Sequence, residues 1–144
     1  QVAIYVAKSH KTISNILASK GFSVSMANEK NIQAIDYLGI TSGNKVADKF
    51  SKSGLTAIQS EFVNAPLVQE LPLALECKFI SYDEESELLL GEIVNVSADE
   101  SALEENGKLS MEKLAPVCYD PAGHGYYLLG KRVGNAFSDG KSLQ

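Results

Sequence analysis

Two long segments, residues 73–82 and 87–99, constrain the fold of this chain most strongly. In the first, "LALECKFISY", the side chains of Leu75, Cys77 and Phe79 fall on one face of a strand, because side chains alternate between the two faces. The charged turn "DEES" separates it from the second segment, "ELLLGEIVNVSAD". The two segments therefore predict an antiparallel hairpin, the longest in the fold.

Shorter elements surround this hairpin. The apolar, β-branched run "VAIYVA" (2–7) predicts a strand buried on both faces. Ile13, Ile16 and Leu17 have the spacing of one helix face, and Gly21 stands where a residue that ends a helix belongs. The other predicted elements are a strand over 22–27, a helix over 31–40 that stops at Gly39, a short helix from Lys45 to Phe50, a helical turn from Ser110 to Leu114, and a short strand with a closing turn over 126–137.

The element pattern indicates one mainly β domain over residues 1–144. Many strands, few helices and the lack of β-α-β alternation favour an antiparallel β-barrel with peripheral short helices. The chain begins at Gln1 and already has the pattern of a buried strand at Val2. We therefore expect either that the chain was processed or that an N-terminal part of the domain is missing from this sequence.

Charge and cysteine content limit the classes of function. The net charge is -5 and the sequence has no basic stripe, so we expect no nucleic-acid partner. No apolar run approaches the roughly 20 residues of a membrane span, so we expect no membrane partner. Two cysteines are too few for a disulfide scaffold and favour a cytoplasmic protein. We expect Cys77 to be a core thiol and Cys118, for which the role of a nucleophile is conceivable, to be structural.

A polar cluster follows the first predicted strand, where the next helix begins. Lys8, Ser9, His10, Lys11 and Thr12 combine positive charge with hydroxyl groups. The N-terminus of a helix has unpaired backbone N–H groups and a partial positive charge, so the cluster could hold a phosphate. Alternatively, Ser9 or Thr12 caps the helix while the lysines are solvated, which residue chemistry alone favours. Both interpretations stay open at this point.

A second cluster lies in "YDPAGHGYYLLG", residues 119–130. Tyr119, His124, Tyr126 and Tyr127 flank proline and glycine residues in a predicted loop. Such a loop can place aromatic faces on a planar ligand or on a partner subunit. It can equally be a turn whose tyrosines pack inward. The two histidines of the chain, which include His124, have no acidic residues at metal-ligand spacing, so we expect no metal site.

Several ordered segments resemble one known family. "VNAPLVQELPLALECKFI", "LLLGEIVNVSADE" and "MEKLAPVCYDPAGHGYYLLGKRVG" are similar to its "NAP-L-E-CPL-LECK", "F-IGEIV-V--DE" and "KL-PL-Y----YY-LGE-VG" stretches. "AKSHKTISNILASKGFSVSMAN" resembles the family segment in which a strand leads to a threonine, a short helix and a second strand. The stretch from Ser42 to Phe50 is also typical of this family. The chain is identified as a member of the flavin reductase-like, FMN-binding split barrels, in the flavoredoxin-type branch.

The resemblance implies a fold, a cofactor and a chemistry. It implies a dimeric FMN-binding split barrel that transfers electrons through FMN, either as an NAD(P)H-dependent flavin reductase or with a redox protein as partner. By position, the cluster Lys8 to Thr12 corresponds to the family's FMN phosphate site. The N-terminal family region that lines the flavin ring has no counterpart here. A non-enzymatic FMN electron carrier and a barrel that has lost flavin are the alternatives.

The same resemblance predicts which residues take part in the chemistry. Hydride transfer to flavin requires stacking and orientation, so we expect no catalytic side chain that acts as a general acid or base. Tyr119, His124, Tyr126 and Tyr127 are the candidates for residues near the flavin ring or the substrate, either at the open face of the flavin or across the dimer interface.

Overall fold

The structure is a computed structural model that describes all residues from Gln1 to Gln144. It contains eight strands, four α-helices and three 3-10 helices. The strands are β1 (Val2–Tyr5), β2 (Gly21–Ser25), β3 (Ala57–Gln59), β4 (Pro66–Val68), β5 (Leu73–Asp83), β6 (Leu88–Ala98), β7 (Val117–Asp120) and β8 (Gly125–Leu128). The α-helices are α1 (Lys11–Ser19), α2 (Ile32–Ile40), α3 (Lys49–Lys52) and α4 (Met111–Leu114), and the 3-10 helices span Glu29–Asn31, Glu100–Ala102 and Asp139–Leu143.

Four strands form one antiparallel sheet in the order β1-β6-β5-β2. The hairpin β5–β6, which the sequence predicts, is its centre and has 11 residues in each strand. The strand pairs β3–β4 and β7–β8 form two separate two-stranded sheets. The curled main sheet is a half-barrel with short helices around it, which confirms the predicted mainly β class. None of the helices has the length and apolar character needed to cross a bilayer.

The main core lies between α1 and the central sheet. Ile13 and Ile16 from α1 are buried against Phe22, Cys77 and Leu89 from β2, β5 and β6. Burial of such side chains contributes about 1.5–3 kcal/mol each relative to exposure. A second, smaller core of Leu73, Ala102 and Leu114 attaches the segment around α4 to the start of β5. Cys77 is completely buried, as the strand pattern predicts.

Three predictions about the first third of the chain are wrong in detail. The first strand is not buried on both faces, because β1 pairs only with β6 and every second side chain is exposed. Leu17 is partly exposed and does not join Ile13 and Ile16 in the core. Lys20, and not Gly21, has the left-handed conformation that ends α1, with φ of 58°, and Gly21 already belongs to β2.

Three further elements differ from the prediction. The helix predicted from Lys45 to Phe50 is α3 at Lys49–Lys52, and the preceding residues form turns. The loop predicted around Cys118 is strand β7, which pairs with β8 to form a hairpin. Helix α2 continues through Gly39, where it is predicted to stop, and ends at Ile40. The short strand predicted at the start of residues 126–137 is β8, and the tail after it contains a 3-10 helix.

Candidate functional site

A cavity of about 650 Å³ opens between the N-terminal end of α1 and the C-terminal end of α2. The loop that joins α2 to α3, residues 41–48, forms its third side. The lining therefore brings together residues that lie about 30 positions apart in sequence. The complete lining is His10, Lys11, Thr12, Asn15, Leu38, Gly39, Ile40, Thr41, Ser42, Gly43, Ala47, Lys49 and Phe50.

The charge of this cavity is opposite to that of the chain. Lys11 and Lys49 line it together with His10, and no aspartate or glutamate does. The whole chain carries a net charge of -5. Opposite charges attract more strongly where the surrounding groups include no competing carboxylate. The cavity is therefore suited to an anion that also has an apolar part.

The N-terminus of α1 contributes hydrogen-bond donors to this cavity. His10 is the residue that precedes the helix, and no side chain caps the helix end. The backbone N–H groups of Lys11 and Thr12 donate to no atom of the chain. Neither Ser9 nor Thr12 caps α1, so the capping interpretation of this cluster does not describe the structure. Free N–H groups at a helix N-terminus favour a bound anion, because the helix dipole is positive there.

The five residues of the first predicted cluster separate into two groups. His10, Lys11 and Thr12 line the cavity, whereas Lys8 and Ser9 do not. The backbone N–H of Lys8 donates to a carboxylate oxygen of Glu87 at 2.9 Å. This bond attaches the segment to the tight turn between β5 and β6.

The loop 41–48 is held against this segment by Asn44. The Nδ2 atom of Asn44 donates to the backbone carbonyl oxygen of Ser9 at 2.8 Å. The backbone N–H of Asn44 donates to the hydroxyl oxygen of Ser42 at 3.3 Å. A Cβ atom at Gly43 would lie 3.2 Å from Cβ of Lys11, so glycine lets the loop pack closely against α1 without a shift of either. The loop is therefore a fixed wall of the cavity.

Lys49 neutralises the C-terminal end of α2, which also lines the cavity. Its Nζ atom donates to the carbonyl oxygens of Leu38 and Thr41, each at 2.8 Å. The C-terminal carbonyl groups of a helix have a partial negative charge that would repel an anion. The Lys49 ammonium group satisfies two of these carbonyl oxygens and makes the local charge positive.

Sequence reasoning missed the wall formed by Leu38 to Phe50. The hydrogen bond between Asn44 and Ser9 joins residues 35 positions apart, and no spacing rule predicts such a contact. The one sequence feature that points to this wall is the Ser42–Phe50 stretch. It resembles the same family as the cluster Lys8 to Thr12, but the resemblance does not indicate its role.

The aromatic cluster predicted in residues 119–130 lies on the hairpin β7–β8, outside this cavity. The hydroxyl of Tyr119 is 2.9 Å from Nδ1 of His124, and the Tyr119 and Tyr126 rings are 5.5 Å apart. His124 has a φ of 55°, which is uncommon for a residue other than glycine. Tyr127 follows Tyr126 in β8 and so points to the other face of the hairpin.

One hydrogen bond connects this hairpin to the cavity region. The hydroxyl of Tyr126 donates to a carboxylate oxygen of Asp36 in α2 at 2.8 Å. This hydrogen bond, together with burial and the charge of Asp36, raises the pKa of Tyr126 above its usual value. The helix whose C-terminal end lines the cavity therefore also supports the aromatic cluster.

A buried carboxylate that sequence reasoning did not single out lies in the centre of β5. Glu76 is 1% exposed, and its carboxylate accepts hydrogen bonds from Ser60, Asn95 and Ser97. Burial raises the pKa of Glu76, but these hydrogen bonds outweigh that effect and hold the pKa below its usual value. The group joins β5, β6 and the segment between β3 and β4.

The two cysteines differ in exposure. Cys77 is completely buried, and Cys118 lies exposed on β7. Burial raises the pKa of the Cys77 thiol. No disulfide joins the two residues. The exposed position of Cys118 does not support the prediction of a structural thiol.

The sequence matches the family model "Flavin reductase like domain" over residues 1–124. A curated relative, an uncharacterized protein from Aquifex aeolicus (strain VF5), is 31% identical over 108 residues. That match includes 74% of this chain and 55% of the relative, so the chain spans about half the length of that protein.

Solved structures of similar fold include two flavoredoxins. The flavoredoxin of Desulfovibrio vulgaris (Miyazaki F) is 37% identical with a TM-score of 0.90, and the match covers 96% of this chain and 75% of that chain. The flavoredoxin from Methanosarcina acetivorans is 29% identical with a TM-score of 0.89, covering 99% and 75% of the two chains. An FMN-binding domain of a flavin reductase-like enzyme from Shewanella baltica OS155 is 20% identical with a TM-score of 0.82, covering 92% and 72%, and supports the fold alone.

Proposed function

Because this chain belongs to the flavin reductase-like domain family, we propose that it is an FMN-binding oxidoreductase. It acts as an NAD(P)H-dependent flavin reductase or as a flavoredoxin-type electron-transfer protein. The observation that carries the proposal is the cavity beside α1, which is lined by two lysines and a histidine and by no carboxylate, in a chain of net charge -5.

The residues of the cavity fit the phosphate and the side chain of FMN. Lys11, the hydroxyl of Thr12, a ring N–H of His10 and the free backbone N–H groups of Lys11 and Thr12 are donors for the phosphate. Charge-assisted hydrogen bonds of this kind are about twice as strong as neutral ones. The apolar side chains of Leu38 and Phe50 in the same cavity suit a part of the cofactor that is not charged. When bound, FMN supplies the chemistry of one-electron and two-electron transfer.

The contribution of the chain itself is to bind and orient. No side chain of the cavity is needed as a general acid or base, because flavin reduction depends on the distance and orientation of the two rings. Tyr119, His124, Tyr126 and Tyr127 remain the proposed residues near the flavin ring or the substrate, either in the same subunit or across a dimer interface. The hydrogen bond from Tyr126 to Asp36 supports this role, since it attaches their hairpin to the helix beside the cavity.

Partners and location are part of the same proposal. We propose a cytoplasmic homodimer that receives electrons from NADH, from NADPH or from a redox protein. Cyclic dimers are the commonest oligomers, and large exposed apolar side chains support the idea of a second subunit. Light scattering of the FMN-bound protein tests this part, and the mass of a monomer would contradict it.

Absorbance spectroscopy and steady-state kinetics test the proposal. Purified protein incubated with FMN and desalted should retain flavin absorbance. It should then oxidise NADH or NADPH with free FMN as acceptor. Retained flavin without such oxidation would identify a non-enzymatic electron carrier. Protein that retains no flavin would contradict the proposed function and support a barrel that has lost its cofactor.

Stopped-flow reduction tests the role of the aromatic cluster. Replacement of His124 by Ala should change the affinity for the nicotinamide substrate modestly, and bound FMN should still be reduced. Complete loss of reduction, with FMN bound and the fold intact, would mean that His124 has a chemical role.

A further inference from the structure

We infer that Asn44 is a positioning residue for the phosphate end of the cavity, and that through it the loop 41–48 makes the protein prefer phosphorylated flavin to riboflavin. The inference rests on the proposed function. It adds a residue from outside the helix N-terminus, and it assigns that residue a measurable effect on ligand choice.

The side chain of Asn44 fixes the segment that leads into α1. Its amide donates to the carbonyl oxygen of Ser9 at 2.8 Å, and Ser9 directly precedes His10, the residue at the helix end. That carbonyl oxygen belongs to the peptide group that joins Ser9 to His10, directly before the free N–H groups of Lys11 and Thr12, whereas the carbonyl of His10 already accepts a bond from Ile13. A donor bound to the Ser9 carbonyl fixes the orientation of the peptide and reduces its repulsion of an anion.

The backbone of Asn44 bonds to a second group, which lies in the cavity wall formed by the loop 41–48. Its N–H donates to the hydroxyl oxygen of Ser42 at 3.3 Å. Because this oxygen accepts that bond, the O–H of Ser42 is free to donate to a ligand. Ser42 lines the cavity with Thr12. Asn44 therefore bonds both to the segment that leads into α1 and to Ser42, a hydroxyl residue of the cavity wall.

Gly43 allows this arrangement. A Cβ atom at this position would lie 3.2 Å from Cβ of Lys11 and 3.6 Å from Cε of Lys49. The loop thus packs between the two lysines that supply the positive charge. A Cβ atom at position 43 would require the loop or the Lys11 side chain to shift by a few tenths of an ångström, and a shift of the loop would disturb the two hydrogen bonds of Asn44.

Only the phosphate end of a flavin should depend on this arrangement. FMN and riboflavin have the same ring and the same ribityl carbon chain, and they differ in the terminal phosphate. A change that disturbs Asn44 should therefore weaken FMN and leave riboflavin almost unchanged. A merely structural role would lower both affinities together.

The experiment compares the variants Asn44→Ala and Gly43→Ala with the wild-type protein by titration calorimetry. The dissociation constants of FMN and riboflavin are measured, and thermal unfolding of the flavin-free protein is followed with and without inorganic phosphate. Asn106→Ala is the matched control, because Asn106 is an exposed asparagine in a turn outside the cavity.

Both test variants should weaken FMN by about five- to tenfold, the effect of losing about one charge-assisted or positioning hydrogen bond. Riboflavin affinity should change less than about twofold on the same scale, and the stabilisation by inorganic phosphate should decrease. The control should match the wild-type protein in all three measurements.

Three results would overturn the inference. Unchanged FMN affinity in both variants would contradict it and leave the proposed function intact. Equal weakening of FMN and riboflavin would show that the loop acts on the fold or on the ring. A wild-type protein that binds neither flavin would contradict the proposed function, and the inference with it.

Discussion

The hydroxyl of Tyr126 donates a hydrogen bond of 2.8 Å to the carboxylate of Asp36, although the two residues are 90 positions apart. Asp36 lies in α2, whose C-terminal end lines the positive cavity, and Tyr126 lies in β8 among the other aromatic residues. The bond therefore relates the proposed phosphate site to the proposed substrate-orienting cluster.

Replacement of Asp36 by Asn should lower the pKa of Tyr126. The hydrogen bond to Asp36, then burial and the negative charge of Asp36, hold this pKa above its usual value. Because the folded pKa of Tyr126 is raised, its protonated hydroxyl stabilises the folded protein fully below the unfolded pKa of about 10. This stabilisation is lost as the pH rises through the folded pKa. Ultraviolet titration of the tyrosines, with Tyr126→Phe to identify the signal, measures the change. An identical titration curve for the Asp36→Asn variant would show that the bond has no effect in solution.

Replacement of Glu76 by Gln should lower the free energy of unfolding by about 1–3 kcal/mol, because buried donors then lose a charged acceptor. The pKa of Glu76 is lowered in the folded state. The stabilisation that the ionised Glu76 side chain provides is therefore present above the unfolded pKa of about 4.3, and it is lost as the pH falls through the folded pKa. Urea unfolding at several pH values tests both statements.

Glu105→Gln is the control for that experiment, since Glu105 is exposed. Wild-type protein should lose stability more steeply with falling pH than Glu76→Gln does. Parallel pH profiles for the two proteins would contradict the account of the buried carboxylate.

Replacement of Gly91 by Ala should destabilise the protein by about 1–3 kcal/mol through overpacking. A Cβ atom there would lie 2.8 Å from Cε1 of Phe22 and 3.3 Å from Cβ of Cys77, in the main core. Gly39→Ala is the matched control, since nothing lies within 4 Å of its Cβ position inside α2. In thermal unfolding, the Tm of the Gly39→Ala control should equal or exceed that of the wild-type protein. A Gly91→Ala variant of wild-type stability would mean that this contact relaxes without cost.

Thiol titration should find two free cysteines of different reactivity. Cys118 is exposed and should react with an aromatic disulfide reagent in the native protein, whereas buried Cys77 should react only after unfolding. Two thiols that react rapidly with the reagent in the native protein would contradict the burial of Cys77. No free thiol in the denatured, unreduced protein would contradict the prediction that both cysteines stay reduced.

The sequence predicts those elements that have a clear local pattern of apolar, polar and capping residues. The hairpin β5–β6 has a long alternating run on each side of a charged turn, and the prediction agrees with the structure to within one residue at each end. The turn of helix before Ala115 has a serine that caps it, and it was also predicted. By contrast, β3, β4 and β7 have three or four residues each, too few for a periodic pattern to show.

The cavity was only half predictable for a related reason. Lys11 and Thr12 follow a strand and begin a helix, so their chemistry is visible in a short window of sequence. The opposite wall depends on contacts made after folding, such as Asn44 on Ser9 and Lys49 on the end of α2. Lys49 begins α3 instead of lying inside a helix over residues 45–50, and its side chain donates to α2 carbonyls, a contact that no local pattern reveals.

The central claim is that the N-terminus of α1 holds the phosphate of FMN, and the double variant Lys11→Ala/Thr12→Ala tests it most directly. The dissociation constants of FMN and riboflavin should be measured for this variant, for the wild-type protein and for Lys30→Ala, an exposed lysine outside the cavity. Loss of charge-assisted hydrogen bonds should weaken FMN by about tenfold or more, while riboflavin affinity and the Lys30→Ala control stay near the wild-type values. Unchanged FMN affinity in the double variant would contradict the claim.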